Sequence, residues 1–375
     1  MSVVDLGDLG LDRGGHVLVK RALRKLSVGD SLRVRGSDPQ LAVHLRGWCR
    51  AQGHELEIDE TGEHREVVVR RGGAEDGRWA RAERAGRADP DAEDAVAEEP
   101  PARWGLAARG AVVELGSPEF EFRLTSKIEC WADEARRIYL QAIASQWDPE
   151  TAIDWSVATE LPDEIEDAIV QVMTYLIENE TAALVVPARF VAQLHPHFKE
   201  VMQLLAVQAA DEARHIEVFT RRALLHREEL GLSTAGGQSS LKTLVDEPDF
   251  ALASFLLSVL GEGTFLSLLR FLEVHAPDPL TRQIMKLTAQ DEARHVAFGM
   301  AHLRRHVARD PRELDRLEDA VHRRHDVLRR TAGLNEEVFD ALVLLAAGSY
   351  ERSDIAAGFD KVAQLQQDMD TSRRK

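Results

Sequence analysis

The pentapeptide Asp-Glu-Ala-Arg-His stands twice in this chain, at 211–215 and at 291–295, in similar surroundings (VQAADEARHIEVF and LTAQDEARHVAF). On a helix, Glu212 and His215, like Glu292 and His295, are three residues apart and leave from one face. That face is expected to be the buried one. The row Leu205, Gln208, Glu212, His215, Phe219 and the row Met285, Thr288, Glu292, His295, Gly299 step by three and four along mostly apolar stripes. A lone carboxylate precedes each copy on a helix where polarity is out of place. Glu262 interrupts Phe255, Val259, Leu266 and Leu269, and Glu180 continues the row Met173, Leu176 and Leu184. Glu178 is the rival to Glu180, but it lines up with Gln171, Thr174 and Thr181 on the polar side. Glu180 lies 32 residues before Glu212, and Glu262 lies 30 before Glu292, which suits a helix, a short turn and a returning helix. The pattern therefore gathers four carboxylates and two imidazoles in one apolar interior. Each buried ion costs several kcal/mol unless compensated, and two divalent metals would compensate them.

A Glu from each of two helices plus Glu-x-x-His from each of two others is the ligand set of ferritin-like di-iron and di-manganese carboxylate proteins. Residues 118 to about 310 resemble that superfamily, nearest to the ribonucleotide reductase small-subunit type. The resemblance implies that Glu180, Glu212 and His215 are the ligands of one half-site and Glu262, Glu292 and His295 those of the other, with some carboxylates bridging. It implies also that Asp211 and Asp291 each bind the imidazole contributed by the opposite helix, Asp291 reaching His215 and Asp211 reaching His295, which fixes the tautomer and raises ligand basicity. Trp147, in Gln146-Trp147-Asp148-Pro149-Glu150, resembles the tryptophan that conducts electrons to the site in the reductase subunits, and simple packing of a large ring is the plainer reading. Arg214 and Arg294, between the buried residues of each motif, are read as surface ion-pair partners rather than substrate clamps. Gly261 and Gly263 flank Glu262 inside a helix, at about 1 kcal/mol each relative to Ala. They signal either a π-bulge that opens a groove beside Glu262 or close helix packing.

The resemblance implies a dioxygen-activating dinuclear non-haem iron oxidase or oxygenase. It would hold two iron ions, with Mn/Fe as the alternative pair, and use dioxygen as co-substrate on a small organic substrate. An external electron donor, a ferredoxin or a reductase, would serve it, and a homodimer is compatible with it. Two departures narrow this. Phe219 stands four residues after His215, where radical-generating subunits have their tyrosine, and the chain has only Tyr139, Tyr175 and Tyr350. A stable tyrosyl radical at the customary place is thereby excluded, and ribonucleotide reduction becomes a poor expectation. Thr288 occupies the place of the additional histidine found in arylamine N-oxygenases, so the motif does not support that branch. The rival classes are a hetero-metal Mn/Fe ligand-binding oxidase, a ferritin- or rubrerythrin-like iron or peroxide-handling protein, and a structural helical domain holding zinc.

The fold class expected is an α+β multidomain chain. Residues 1–72 alternate short β-like runs (31–35 and 67–70) with helical spacing over 15–26 and 39–52. Residues 73–103, rich in Ala, Arg, Gly, Pro and acid, read as a flexible acidic linker. Residues 104–375 read as all-α, with helices over roughly 121–147, 162–194, 197–229, 248–275, 277–307, 311–331 and 335–367. Residues 3–71 resemble the TusA/SirA-like sulfurtransferases, small βαβαββ proteins, through VVDLGDLGLDRGGHVLVKRAL, LSVGDSLRV and SDPQLAVHLRGWCRAQGHELE. That family carries persulfide on the Cys of a Cys-Pro pair at the first helix N-terminus, where the helix dipole lowers the thiol pKa. Here Arg13 and Gly14 replace the pair, and Cys49 matches a second, buried cysteine. The resemblance thus implies a scaffold or docking role. A formal charge of -17 makes nucleic-acid binding and membrane-surface attachment poor expectations. The longest apolar stretch, Phe250 to Leu260, is about half of a bilayer crossing. Two cysteines cannot make a disulfide framework, and a reduced, cytoplasmic setting is expected.

Overall fold

The computed structural model describes residues 2–58, 67–157, 159–328 and 335–374. The chain forms two compact units, Met1–Ala95 with Ala107–Glu119, and Val96–Leu106 with Phe120–Lys375.

In the first unit the order is β1 (Ser2–Asp5), α1 (Gly15–Leu23), β2 (Ser31–Arg35), α2 (Leu41–Gln52), β3 (Glu55–Ile58) and β4 (Val67–Arg70), the βαβαββ order the resemblance implies. The strands lie in the order β1-β2-β4-β3, with β1 parallel to β2 and β4 antiparallel to both its neighbours. Period-two alternation buries Leu32 and Val34 on β2 and Val67 and Val69 on β4, and four-residue spacing buries Val19 and Leu23 on α1 and Leu41, Leu45 and Cys49 on α2. These side chains make one core. The stretch 73–103, which composition reads as a flexible linker, instead carries α3 (Ala74–Trp79) and β5 (Glu83–Arg84), and β5 pairs with β6 (Val112–Val113). Its arginines and acids satisfy one another: Arg78 bonds Glu114 at 2.8 Å and Arg87 bonds Asp94 at 2.5 Å, while Ala85 and Ala95 are buried. Residues 96–106 belong to the helical unit, where the Ala97 amide donates to His197 Nε2 at 2.9 Å and Glu98 pairs with Lys127 and Arg309.

The helical unit begins with α4 (Lys127–Cys130), α5 (Ala135–Ala144) and α6 (Pro149–Ala152). Periodicity reads one helix over 121–147. The structure breaks it at Trp131, whose extended backbone directs the indole N–H to Asp133 at 3.0 Å. Next come α7 (Asp163–Val191), α8 (Lys199–Ala223), α9 (Ala235–Val245), α10 (Phe250–Ser254), a π-helical run Phe255–Gly261, α11 (Glu262–His275) and α12 (Pro279–Arg309). The chain closes with α13 (Glu313–Leu328), α14 (Glu336–Ala347) and α15 (Arg352–Arg374). The last residues of the helix expected over 311–331 lie outside the described residues. The single helix expected over 335–367 is two, because Gly348 ends α14 in the left-handed region (φ 68°). α7 and the run Phe250–His275 are long and apolar enough to cross a bilayer by length and composition. Each buries a glutamate, Glu180 or Glu262, inside the bundle, as core helices do.

Two large apolar clusters fill most of the unit, beside a small one at Leu252, Leu317 and Ala320, and the motif residues lie between the two large ones. Along α7, Met173 and Leu176 belong to one cluster and Ala183, Val186 and Phe190 to the other; along α8, Val218 and Phe219 belong to the first and Leu204 and Leu205 to the second. A separate buried ion network ties α7, α8 and the start of α12. Arg222 donates to both oxygens of Glu166 (2.6 and 3.2 Å), to Asp278 (3.3 Å) and to Thr281 Oγ1 (2.8 Å). Removing the cation strands two buried carboxylates. Arg222→Ala is expected to lower unfolding stability by roughly 3–5 kcal/mol, read from chemical denaturation; a loss within the noise of a surface substitution would show that water reaches this network.

Candidate metal centre

The helices bring all six candidate ligands to one buried layer: Glu180 from α7, Glu212 and His215 from α8, Glu262 from the first turn of α11, and Glu292 and His295 from α12. None is more than 4% exposed. Potential ligand atoms of Glu180, Glu212, His215 and Glu292 all lie within 4.8 Å of one another, as do those of Glu212, Glu262, Glu292 and His295. Glu212 and Glu292 are common to both groups, the position of bridging carboxylates. Glu178, the rival to Glu180, is only partly buried.

Both imidazoles turn Nδ1 inward. His215 Nδ1 lies 3.2 Å from Glu212, 3.4 Å from Glu292 and 3.5 Å from Glu180, and His295 Nδ1 lies 3.0 Å from Glu212 and 3.5 Å from Glu292. Each Nε2 faces the aspartate of the opposite helix, His215 to Asp291 at 3.1 Å and His295 to Asp211 at 3.3 Å. A carboxylate that accepts the Nε2 proton leaves the Nδ1 lone pair pointing at the centre. The aspartates are themselves held. Arg214 donates to Asp211 (2.5 Å) and Asp291 (2.8 Å), and Arg294 bonds Asp291 from the other side. The two arginines are ion-paired, as the sequence reading has it, but their partners are the aspartates behind the ligands.

Trp147 lies closer to the chemistry than plain packing requires. Its indole N–H donates to Asp291 Oδ2 at 2.7 Å, its ring stacks on His215 at 6.3 Å between centroids, and the Arg214 guanidinium sits 4.6 Å from its centroid. Two glutamines escaped the sequence reading. Gln146 donates to Asp211 at 2.7 Å and accepts from Arg214 at 2.6 Å; Gln208 donates to Glu262 at 2.9 Å. Gln208 sits one turn before Glu212 on the same face, which is the signal that could have found it.

Burial and then the neighbouring Glu212 and Glu292 push the Glu180 carboxyl well above the usual carboxylate range; burial and Glu292 do the same to Glu262. Burial alone would lower the imidazoles. The carboxylates outweigh it, chiefly Glu180 at His215 and Glu212 at His295, and hold both well above the ordinary histidine value. A site in this state keeps protons that a cation would displace. One oxygen each of Glu180, Glu212 and Glu262, both oxygens of Glu292, and His295 Nδ1 are buried with no hydrogen-bond partner. Converging carboxylate oxygens and an imidazole nitrogen left without partners fit divalent metals of the iron, manganese or zinc type.

Immediately before Glu262 the backbone is π-wound from Phe255 to Gly261, so the bulge reading of the two glycines describes the structure. A side chain at Gly263 would meet nothing within 4 Å, which sets aside close packing there.

Residues 16–71 match the family described as Sulfurtransferase TusA. Among solved structures, the chain is similar to one variant of an R2-like ligand-binding oxidase with aerobically reconstituted Mn/Fe cofactor, at 18% identity over 65% of this chain and 94% of that one, with a TM-score of 0.50. A second variant of that oxidase gives 18%, 65%, 94% and 0.47. No curated protein sequence matches the chain. The helical unit has the ferritin-like fold. It follows a TusA domain whose first helix begins at Gly14-Gly15, with Arg13 donating to the Asp8 carbonyl at 2.9 Å. Cys49 of that domain is buried in the middle of α2, and burial pushes its thiol up to about 11.

Protein purified with iron is expected to hold about two metal ions per chain, and Glu212→Ala or His295→Ala to lose most of them, by elemental analysis. Asp291→Asn should weaken binding by roughly 10- to 100-fold. Full metal content in the alanine variants would overturn the assignment.

Proposed function

We propose that the ferritin-like unit is a dioxygen-activating dinuclear non-haem iron oxidase or oxygenase acting on a small organic substrate. The observation that carries this is the pair of crossed Glu-x-x-His half-sites sharing Glu212 and Glu292, where one oxygen of Glu212 and both of Glu292 are buried without a hydrogen-bond partner. Two iron ions held by Glu180, Glu212, His215, Glu262, Glu292 and His295 would supply paired one-electron changes for the reduction of dioxygen. The protein's own groups do the rest. Asp211 and Asp291 hold the imidazole Nε2 protons; Arg214 and Arg294 hold those aspartates in place by ion pairs; the apolar clusters on either side keep water out. Trp147, bonded to Asp291 and stacked on His215, supplies a path for electrons from an external ferredoxin or reductase. The open space at Gly263, beside the π-wound turn, suits approach of substrate to Glu262. A Mn/Fe pair is the second reading: the same donor set suits it, and the similar oxidase is described with a Mn/Fe cofactor. The two free, buried cysteines accord with a cytoplasmic setting.

The anaerobically reduced di-iron protein should consume dioxygen on mixing and show a transient visible absorption. It should show no tyrosyl radical signal by electron paramagnetic resonance, because Phe219, buried with its ring 6.3 Å from His215, holds the customary place. Failure to consume dioxygen, or a persistent tyrosyl signal, would overturn this account. For the TusA domain we propose a docking role without sulfur transfer. Incubation with a cysteine desulfurase and cysteine should leave no persulfide on the native protein, and Cys49→Ser should cost about 1–2 kcal/mol of stability while leaving dioxygen consumption unchanged. Labelling of Cys49 in the folded protein would restore the sulfur-carrier reading.

A further inference from the structure

The TusA domain carries an open groove of about 960 Å³ between α1 and α2. One wall is cationic, from Lys20, Arg21, Arg24 and Lys25. Lys20 and Arg24 share Glu75, at 3.5 and 3.1 Å, whereas Arg21 and Lys25 make no ion pair among the described residues. Among the described residues Asp12 is the one carboxylate lining the groove, at its end beside His44, and the sequence has no acid between it and Asp30. The floor is apolar and unusually bare. Val17 and Val43 are 57% and 64% exposed, Trp48 lies partly open beside them, and a side chain at Gly47 would meet nothing within 4 Å. A glycine in the middle of a helix costs about 1 kcal/mol against alanine, and no neighbour in the domain requires this one. What Gly47 leaves is depth in the groove.

Charge is distributed to match. Residues 1–72 contain 12 Lys+Arg and 11 Asp+Glu, so with a chain total of -17 the remaining residues carry -18. An acidic partner is repelled by most of this chain and attracted to this groove. A cationic wall beside an exposed apolar floor matches the helix-in-groove mode of recognition, with an acidic flank and apolar anchors on the incoming helix. A nucleic acid would meet the wall but leave the floor uncovered, against a strongly negative chain.

We propose that the α1–α2 groove docks an acidic amphipathic helix of a small helical carrier protein. Its use, delivering the tethered substrate, rests on the oxidase reading; the docking itself needs no metal and is measured without it.

The test uses the full chain and holo-acyl carrier protein as probe, with isothermal titration calorimetry at low and moderate salt. Saturable micromolar binding that weakens with salt is expected. Gly47→Leu fills the groove without changing charge, and Arg21→Glu with Lys25→Glu reverses charge on the wall; each should weaken binding by about 10-fold or more. Thermal unfolding checks that both variants stay folded, as the open space at Gly47 and the exposure of Arg21 and Lys25 predict. Absence of saturable binding, wild-type affinity in either folded variant, or equally tight binding of a short oligothymidylate would each overturn the proposal. Loss of metal or dioxygen reactivity in a separate assay would bear only on the oxidase reading.

Discussion

The helical unit depends on how it balances charge in a layer closed to water. Four glutamates and two aspartates lie in that layer, all buried, and among the described residues the guanidinium groups paired with them are Arg214 and Arg294. With neutral imidazoles and every carboxyl ionised, four negative charges remain, the charge of two divalent cations. Desolvation would otherwise be met by protonation, as the raised Glu180 and Glu262 carboxyls indicate. The same balance explains the architecture around it. Apolar clusters above and below exclude water, and each ligand leaves a long helix whose register is fixed by packing on both sides.

The parts legible in the sequence are those governed by helical period and burial. Glu180, rather than Glu178, continues the row of Met173 and Leu176, and the two repeats mark their own inner faces. The crossed Asp–His pairs came from the family resemblance, since no spacing rule says which helix faces which. The glutamines were not legible for the same reason: Gln146 reaches Asp211 across 65 residues. The breaks at Trp131 and Gly348 were hidden because apolar period continues through them. The linker reading failed differently. Composition measures how much a segment can bury, and residues 73–95 hold their place through paired charges and a two-stranded sheet more than through burial.

The internal repeat suggests two equivalent halves, and the structure makes them unequal. Phe219, four residues after His215, corresponds to Gly299 after His295. A side chain at Gly299 would come within 2.6 Å of Ser258 Cβ, in the π-wound run. The extra backbone of that run thus takes up the volume that a phenylalanine occupies on the other side. Its ligand differs too: Glu262 receives a hydrogen bond from Gln208, while Thr288, the counterpart of Gln208, leaves its hydroxyl without a partner.

The surroundings of the imidazoles are unequal in a complementary sense. His215 is backed by Asp291, and through it by the Trp147 indole and Arg214; His295 is backed by Asp211, which takes Gln146 in place of an aromatic ring. An indole ring thus adjoins the half-site of Glu180 and His215, and a π-wound helix turn with open space at Gly263 adjoins that of Glu262 and His295. Two metals bound here would see different donors' supports and different access. The copies diverge at Phe219/Gly299 and Gln208/Thr288, and the segment Gln146-Trp147, which lies outside the repeat, gives one aspartate an amide and the other an indole; all of these adjoin the buried carboxylate layer.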